Sequence, residues 1–153
     1  MDSAVGEYGV PMDNRRPTMI ETREEYEYCL KRGYDPLIDE RFPMEIGLRR
    51  EIQREKFGKN NAEGNRKFYR FCIEHSGNCC EECGRYIPFP SAVNISHRLS
   101  RGAHPAISHD PRNFDFLCYS CHQTYENGDR KGMKIYPRVE KMIEKLKEEY
   151  YNV

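Results

Sequence analysis

Two cysteine pairs, Cys80-Glu-Glu-Cys83 and Cys118-Tyr-Ser-Cys121, bracket an isolated His97 and run directly into His122, with Asn113 just upstream of the second pair. Two thiolates separated by two residues can face one ion, and two such pairs complete the tetrahedral shell of a structural Zn2+. Gly84, immediately after the first pair, permits the positive φ that lets a chain fold tightly around a sulfur. Cys79 adjoins Cys80 and is an alternative ligand, but the Cys80 to Cys83 interval repeats that of Cys118 to Cys121 and is preferred. Cys29 and Cys72 fall at apolar helix positions and read as small buried hydrophobes. His97, Asn113 and His122 are the residue types that metal-dependent phosphodiester hydrolysis requires.

These residues need elements to position them. Ala92–His97 alternates as a strand should, Phe114–Cys118 reads as its partner, and Tyr119–Asn127 predicts a helix that stops at Asn127-Gly128 with His122 in its first turns. Asn127 reads as that helix's terminator. Upstream, Arg66–His75 predicts a short helix with Phe68, Phe71 and Cys72 on one side. Thr22 and Glu25 have capping-box spacing, so a first helix carries Tyr26, Cys29 and Leu30 before Gly33 and Pro36. A second helix follows Pro43 and runs to about Phe57, with Leu48 and Ile52 inward and Arg49, Arg50, Arg54 and Lys56 on the polar side; residues 58–65 read as a polar turn. Pro137 opens a final helix whose Val139, Met142, Ile143, Leu146 and Tyr150 recur at helical spacing, as a core stripe or as the seam of a homodimer.

The expected class is α+β, divided into a mobile leader over 1–20, a helical basic extension over 21–65, a metal-binding domain over 66–136 and a C-terminal helix over 137–153. At 153 residues and a mean hydropathy of -0.94, the core needs a supplement. Met1-Asp2-Ser3-Ala4 lacks the basic and apolar regions of a signal peptide, so four of the seven cysteines are expected to bind metal in the cytoplasm rather than to form a secreted disulfide scaffold. No run approaches the roughly 20 apolar residues of a membrane span, and no membrane partner is expected. The net charge is zero, yet residues 1–48 carry 6 basic and 11 acidic side chains, whereas 49–70 carry 8 and 3, and 85–134 carry 7 and 4. Such local positive excess suits a phosphate-binding surface.

Asn-x4-Cys-x2-Cys-His, downstream of Cys-x2-Cys and a lone histidine, resembles the HNH, or ββα-metal, endonuclease superfamily over about residues 68–135. Within it, Ser96-His97-Arg98-Leu99-Ser100-Arg101-Gly102-Ala103-His104-Pro105 and Asp110-Pro111-Arg112-Asn113 resemble the Rap/NinG recombination endonucleases of lambdoid phages. The resemblance implies a ββα-metal core stapled by the zinc site, acting on DNA, with branched recombination intermediates as the leading substrate. It implies that His97 is the general base toward the attacking water, a task suited to an imidazole that titrates near pH 6.5. Asn113 would hold the base's loop, and His122 would bind a catalytic Mg2+ or Mn2+, leaving 5'-phosphate and 3'-hydroxyl ends. Many members carry Asp or His just before the base as a further ligand. Here Ser96 stands there, so the first-strand ligand is Ser96, Asn94 or neither.

Arg98, Arg101, Arg112, Arg130 and Lys131 are the candidates to grip phosphates, Arg98 and Arg101 foremost because they follow the base. His104 and His109 read as loop residues. The rival expectation is a non-catalytic zinc-stapled module that binds nucleic acid. It explains the cysteines equally well, but not the positions of His97, Asn113 and His122.

Overall fold

The computed structural model describes residues 19–152. They form an α+β chain of five helices, α1 (Arg23–Lys31), α2 (Ile46–Phe57), α3 (Ala62–Glu74), α4 (Tyr119–Asn127) and α5 (Tyr136–Tyr151). Two short antiparallel strands, β1 (Ile95–His97) and β2 (Phe114–Phe116), pair Ile95 with Phe116 and His97 with Phe114. The leader expected over 1–20 lies outside the described residues except at its end. There Ile20 is buried, bridges Met44 and donates its N–H to the Pro43 carbonyl at 2.8 Å, so that residue is anchored.

The chain divides between Glu55 and Lys56 into two compact units. In the first, Thr22 caps α1 by accepting from the Glu25 N–H, and Tyr26, Cys29, Leu37, Met44, Leu48 and Ile52 are buried. Glu45 accepts from the Gly47 and Leu48 N–H groups at 2.8 Å each and so starts α2. Arg49, expected on the polar side, is instead 3% exposed. Its guanidinium donates to the Leu37 carbonyl at 3.0 Å and the Pro36 carbonyl at 2.7 Å, because the bend after α1 leaves those carbonyls without helical partners.

The second unit begins ten residues before the expected boundary at 65/66, and Phe57 is the reason. It is 1% exposed and meets Phe68 and Phe71 edge-on, ring centroids 5.3 Å apart in both cases. The expected polar turn over 58–65 also ends early, since Asn61 accepts from the Gly64 N–H at 3.0 Å and caps α3. A Cβ at Gly64 would lie 1.9 Å from the Lys59 carbonyl oxygen and 2.8 Å from that of Phe57, so only glycine lets α3 close on this turn.

Beyond α3, Ala92–Asn94 forms a single 3-10 turn before β1, and Pro111–Asn113 forms another before β2. The expected strand over 92–97 is therefore only its second half. α4 has the predicted bounds. Val139, Met142, Leu146 and Tyr150 of α5 are buried and Ile143 packs against the cluster of Cys80, Leu117, Cys118, Tyr125, Met133 and Ile135, so core packing accounts for that stripe.

Gly64→Ala is expected to lower the free energy of unfolding by roughly 2 kcal/mol or more, measured by urea denaturation followed by far-UV circular dichroism. Gly102→Ala, where nothing lies within 4 Å of the added carbon, is expected to stay within about 0.5 kcal/mol of the parent.

Candidate metal centre and active-site cleft

Cys80, Cys83, Cys118 and Cys121 bring their sulfurs within 4.8 Å of one another. Four sulfurs each about 2.3 Å from a central Zn2+ stand about 3.8 Å apart along a tetrahedron's edge. Cys83 Sγ and Cys118 Sγ are separated by 3.8 Å, so the donor set fits such an ion in both chemistry and size. The Cys83 N–H points at Cys80 Sγ and the Cys121 N–H at Cys118 Sγ, each at 3.5 Å, and Gly84 takes the expected positive φ of 78°. Burial opposes ionisation of Cys80, but N–H groups of Cys83, Cys118 and Glu82 hold its pKa down to about 7. Cys121 is pushed up by burial and by the thiols of Cys118 and Cys80. Such crowding of sulfurs is relieved by a cation. Cys79 is exposed and outside the group, so the register preferred from the spacing is the one in which the ligands assemble.

The two residues inside the first pair, Glu81 and Glu82, fasten this cluster to the sheet and to α5. The Glu81 N–H donates to the Phe116 carbonyl at 2.9 Å, and the Glu81 carboxylate accepts from the Phe116 N–H. The Glu82 carboxylate accepts from the Lys134 and Ile135 N–H groups at 2.9 Å each, at the start of α5.

A cleft of about 420 Å³ opens beside β1, and His97, Arg101, His104, His122, Glu126 and Arg130 line it. His97 ends β1 and lies between Phe68, against which it stacks at 6.1 Å, and Tyr69, which it meets edge-on at 6.1 Å. Its Nε2 is buried and has no hydrogen-bond partner in the protein. Burial, followed by the positive field of Arg101, His109 and His122, depresses the His97 pKa to about 4, so the ring is neutral at pH 7. Asn113 is fully buried and clasps the residue two beyond His97 with both ends of its amide. Its Oδ1 accepts from the Leu99 N–H at 2.8 Å, and its Nδ2 donates to the Leu99 carbonyl at 2.9 Å.

His122, on α4, gives Nδ1 to the Val93 carbonyl at 2.7 Å. That carbonyl can only accept, so Nδ1 is the donor and Nε2 is the ring nitrogen left to meet a metal. Glu126 is one turn further along α4, with its Oε1 3.6 Å from His122 Nε2. Neither residue offered as a first-strand ligand reaches the cleft. Ser96 is paired with Asp115 on the opposite face of the sheet from His97, and Asn94 is occupied with the Ser91 N–H and the Leu117 carbonyl.

The five basic candidates separate into three groups. Arg101 and Arg130 line the cleft, Arg101 donating to the Tyr69 hydroxyl at 2.6 Å and Arg130 lying 4.4 Å over the Tyr125 ring. Lys131 is exposed in the 3-10 turn Arg130–Gly132 and is not among the residues lining the cleft. Arg98 and Arg112 are corrected: although Arg98 borders the cleft, both guanidiniums are committed inside the protein. Arg98 grips Asp115 with bonds of 2.9 and 3.0 Å, and Arg112 grips Asp110 at 2.8 and 3.1 Å and Glu149 at 2.7 Å. Their carboxylate partners sit close in sequence or across the strand, and burial makes those pairs too costly to open for a phosphate.

Glu126, which lines the cleft, and Tyr69, which touches His97 and Arg101, were not singled out from the sequence. Glu126 had a signal in its His-x3-Glu spacing to His122, which places both on one helix face. Tyr69 had none, because its position depends on α3 packing against β1.

Replacing Cys118 by Ser is expected to abolish binding of one Zn2+ per chain, read by elemental analysis, and to lower the melting temperature; Cys79→Ser is expected to retain the metal. A pH effect follows from the depressed pKa values of His97 and His109. Both bind protons more readily unfolded than folded, so their contribution to stability is intact above about pH 6.5 and is lost as the pH falls toward 4. His97→Gln is expected to flatten that fall in urea denaturation across this window. No family model, curated protein or solved structure matches this chain.

Proposed function

We propose that this protein is an HNH-type endonuclease that hydrolyses DNA phosphodiester bonds with a divalent ion, using a ββα-metal unit built from β1, β2 and α4. The observation that carries the reading is His97, a neutral histidine whose buried Nε2 has no partner and which lines a cleft together with His122 and Arg101. A buried polar atom without a partner is destabilising unless something outside the protein meets it. On this reading, that partner is the attacking water, whose proton His97 accepts. Asn113 holds Leu99, and with it the turn that follows the base. Arg101, steadied by Tyr69, faces a phosphate oxygen.

His122 Nε2 and the Glu126 carboxylate are the groups that would hold Mg2+ or Mn2+, which takes few protein ligands and keeps water and substrate oxygens. Such an ion supplies charge neutralisation at the phosphate and at the departing 3' oxygen. The remaining steps fall to this chain's own residues, and the ends produced would be 5'-phosphate and 3'-hydroxyl. Branched DNA is the leading substrate. One observation favours the rival, a non-catalytic zinc-stapled binding module: β1 contributes no metal ligand to the cleft, so only two protein ligands are in place.

Labelled linear duplex, single-stranded and four-way-junction DNA, incubated with Mg2+, Mn2+ or EDTA, distinguish these readings. The expected result is metal-dependent cutting that falls about 10²- to 10⁴-fold in a folded His97→Ala variant. Glu126→Gln is expected to raise the Mg2+ concentration needed. Retained DNA binding without cutting of any substrate would establish the binding module instead, and cutting by His97→Ala at the parent rate would remove His97 as the base.

A further inference from the structure

We infer that the exposed face of α3 bearing Arg66 and Arg70 receives the nucleic-acid backbone and leads it past Tyr69 to Arg101 and His97. The inference rests on the proposed nucleic-acid partner and assigns that partner two arginines, Arg66 and Arg70, that are not among the five phosphate-gripping candidates.

The first ground is helical geometry. Residues 66, 69 and 70 lie at i, i+3 and i+4, so their side chains share one face of α3. The opposite face, with Gly64, Phe68, Phe71 and Cys72, is buried. Arg66 and Arg70 are exposed. Among the described residues, neither is held in an ion pair, whereas their neighbour Lys67 meets Glu63 at 3.5 Å on the flank of the helix. Two unpaired guanidiniums one turn apart repel each other weakly and gain by a shared polyanion, for which their planar forks are well suited.

The second ground is where this face leads. Tyr69, between the two arginines in sequence, contacts the edge of His97 and accepts the Arg101 hydrogen bond at 2.6 Å. Phe68, behind it, stacks on both His97 and His109. α3 therefore touches two residues that line the cleft, His97 and Arg101, and its outer face continues the positive charge of Arg101. A solvated helix face would carry charge as well, but would have no reason to be joined to the cleft through a tyrosine that touches both His97 and Arg101.

The test uses a fluorescein-labelled DNA duplex titrated, without added Mg2+ or Mn2+, with the full-length His97→Ala protein and with the same protein carrying Arg66→Gln and Arg70→Gln. Zinc content and circular dichroism confirm that each is folded. Loss of two phosphate contacts is expected to lower the slope of log K against log salt by roughly 1.8, and to weaken binding most at low salt. Lys141→Gln with Lys145→Gln, on the exposed side of α5, is expected to change the slope little. In the catalytically intact protein, the arginine pair is expected to raise KM and leave kcat near the parent value. An unchanged slope, or an equal drop for the α5 pair, would overturn the assignment while leaving the endonuclease reading standing. If the parent neither binds nor cuts DNA, both fall together.

Discussion

Gathering four sulfurs at one point is the constraint on which the second unit depends. The chain is hydrophilic, with a mean hydropathy of -0.94, and its strands are three residues each, too short to be stable as an isolated hairpin. The cysteine cluster joins three elements that those strands alone would not hold. Cys118 is at once a sulfur donor and the N-cap of α4, so the metal centre and the start of that helix are the same residue. Glu81 and Glu82, inside the first Cys-x2-Cys turn, reach β2 and the start of α5. None of the four cysteines lines the cleft, which separates the metal that would organise the fold from the residues proposed to do chemistry.

Between β1 and β2 the chain makes a long connection with little regular structure, and buried polar groups define its path. Asp110 is fully buried and accepts from Arg112, its own cap neighbour, and from the Tyr150 hydroxyl at 2.9 Å. Asp115 accepts from Arg98 and from Arg138. Asn113 ties the end of the connection to Leu99 near its beginning. Networks of this sort are weak as net stabilisers but strong as specifiers, since any alternative path leaves a buried charge unpaired. They hold the turn after His97, which an exposed loop of this length would otherwise leave free.

Much of this was legible in the chain because it depends on short-range pattern. Cys-x2-Cys spacing, the Thr22 cap and the bounds of α4 are all set by residues within one or two turns of each other. The misreadings share a different origin. Arg49 and Arg98 look like surface cations, and nothing local reveals that carbonyls or a carboxylate distant in sequence will enclose them; Arg112 has Asp110 two residues before it, but its second partner, Glu149, comes from α5. Phe57 looked like the end of an extension, yet it belongs with Phe68 and Phe71 because three aromatic rings bury more area together than apart. Tyr69 meets His97, and Glu126 reaches the cleft, only once α3 and α4 are placed on the strands.

The two histidines of the cleft are prepared in opposite ways, and the difference follows from what surrounds each ring. His122 is keyed by a hydrogen bond, its Nδ1–H donating to the Val93 carbonyl so that the ring is oriented with Nε2 on the other side. His97 is kept neutral chiefly by burial and then by neighbouring positive charge, with no partner on Nε2. On the endonuclease reading, the same Arg101 that lowers the basicity of His97 also attracts the phosphate. Once a phosphate docks, its negative charge offsets that of Arg101, and the imidazolium formed by proton transfer is stabilised. Such a base would be weak in the empty cleft and stronger when substrate is present, which ties its reactivity to occupancy.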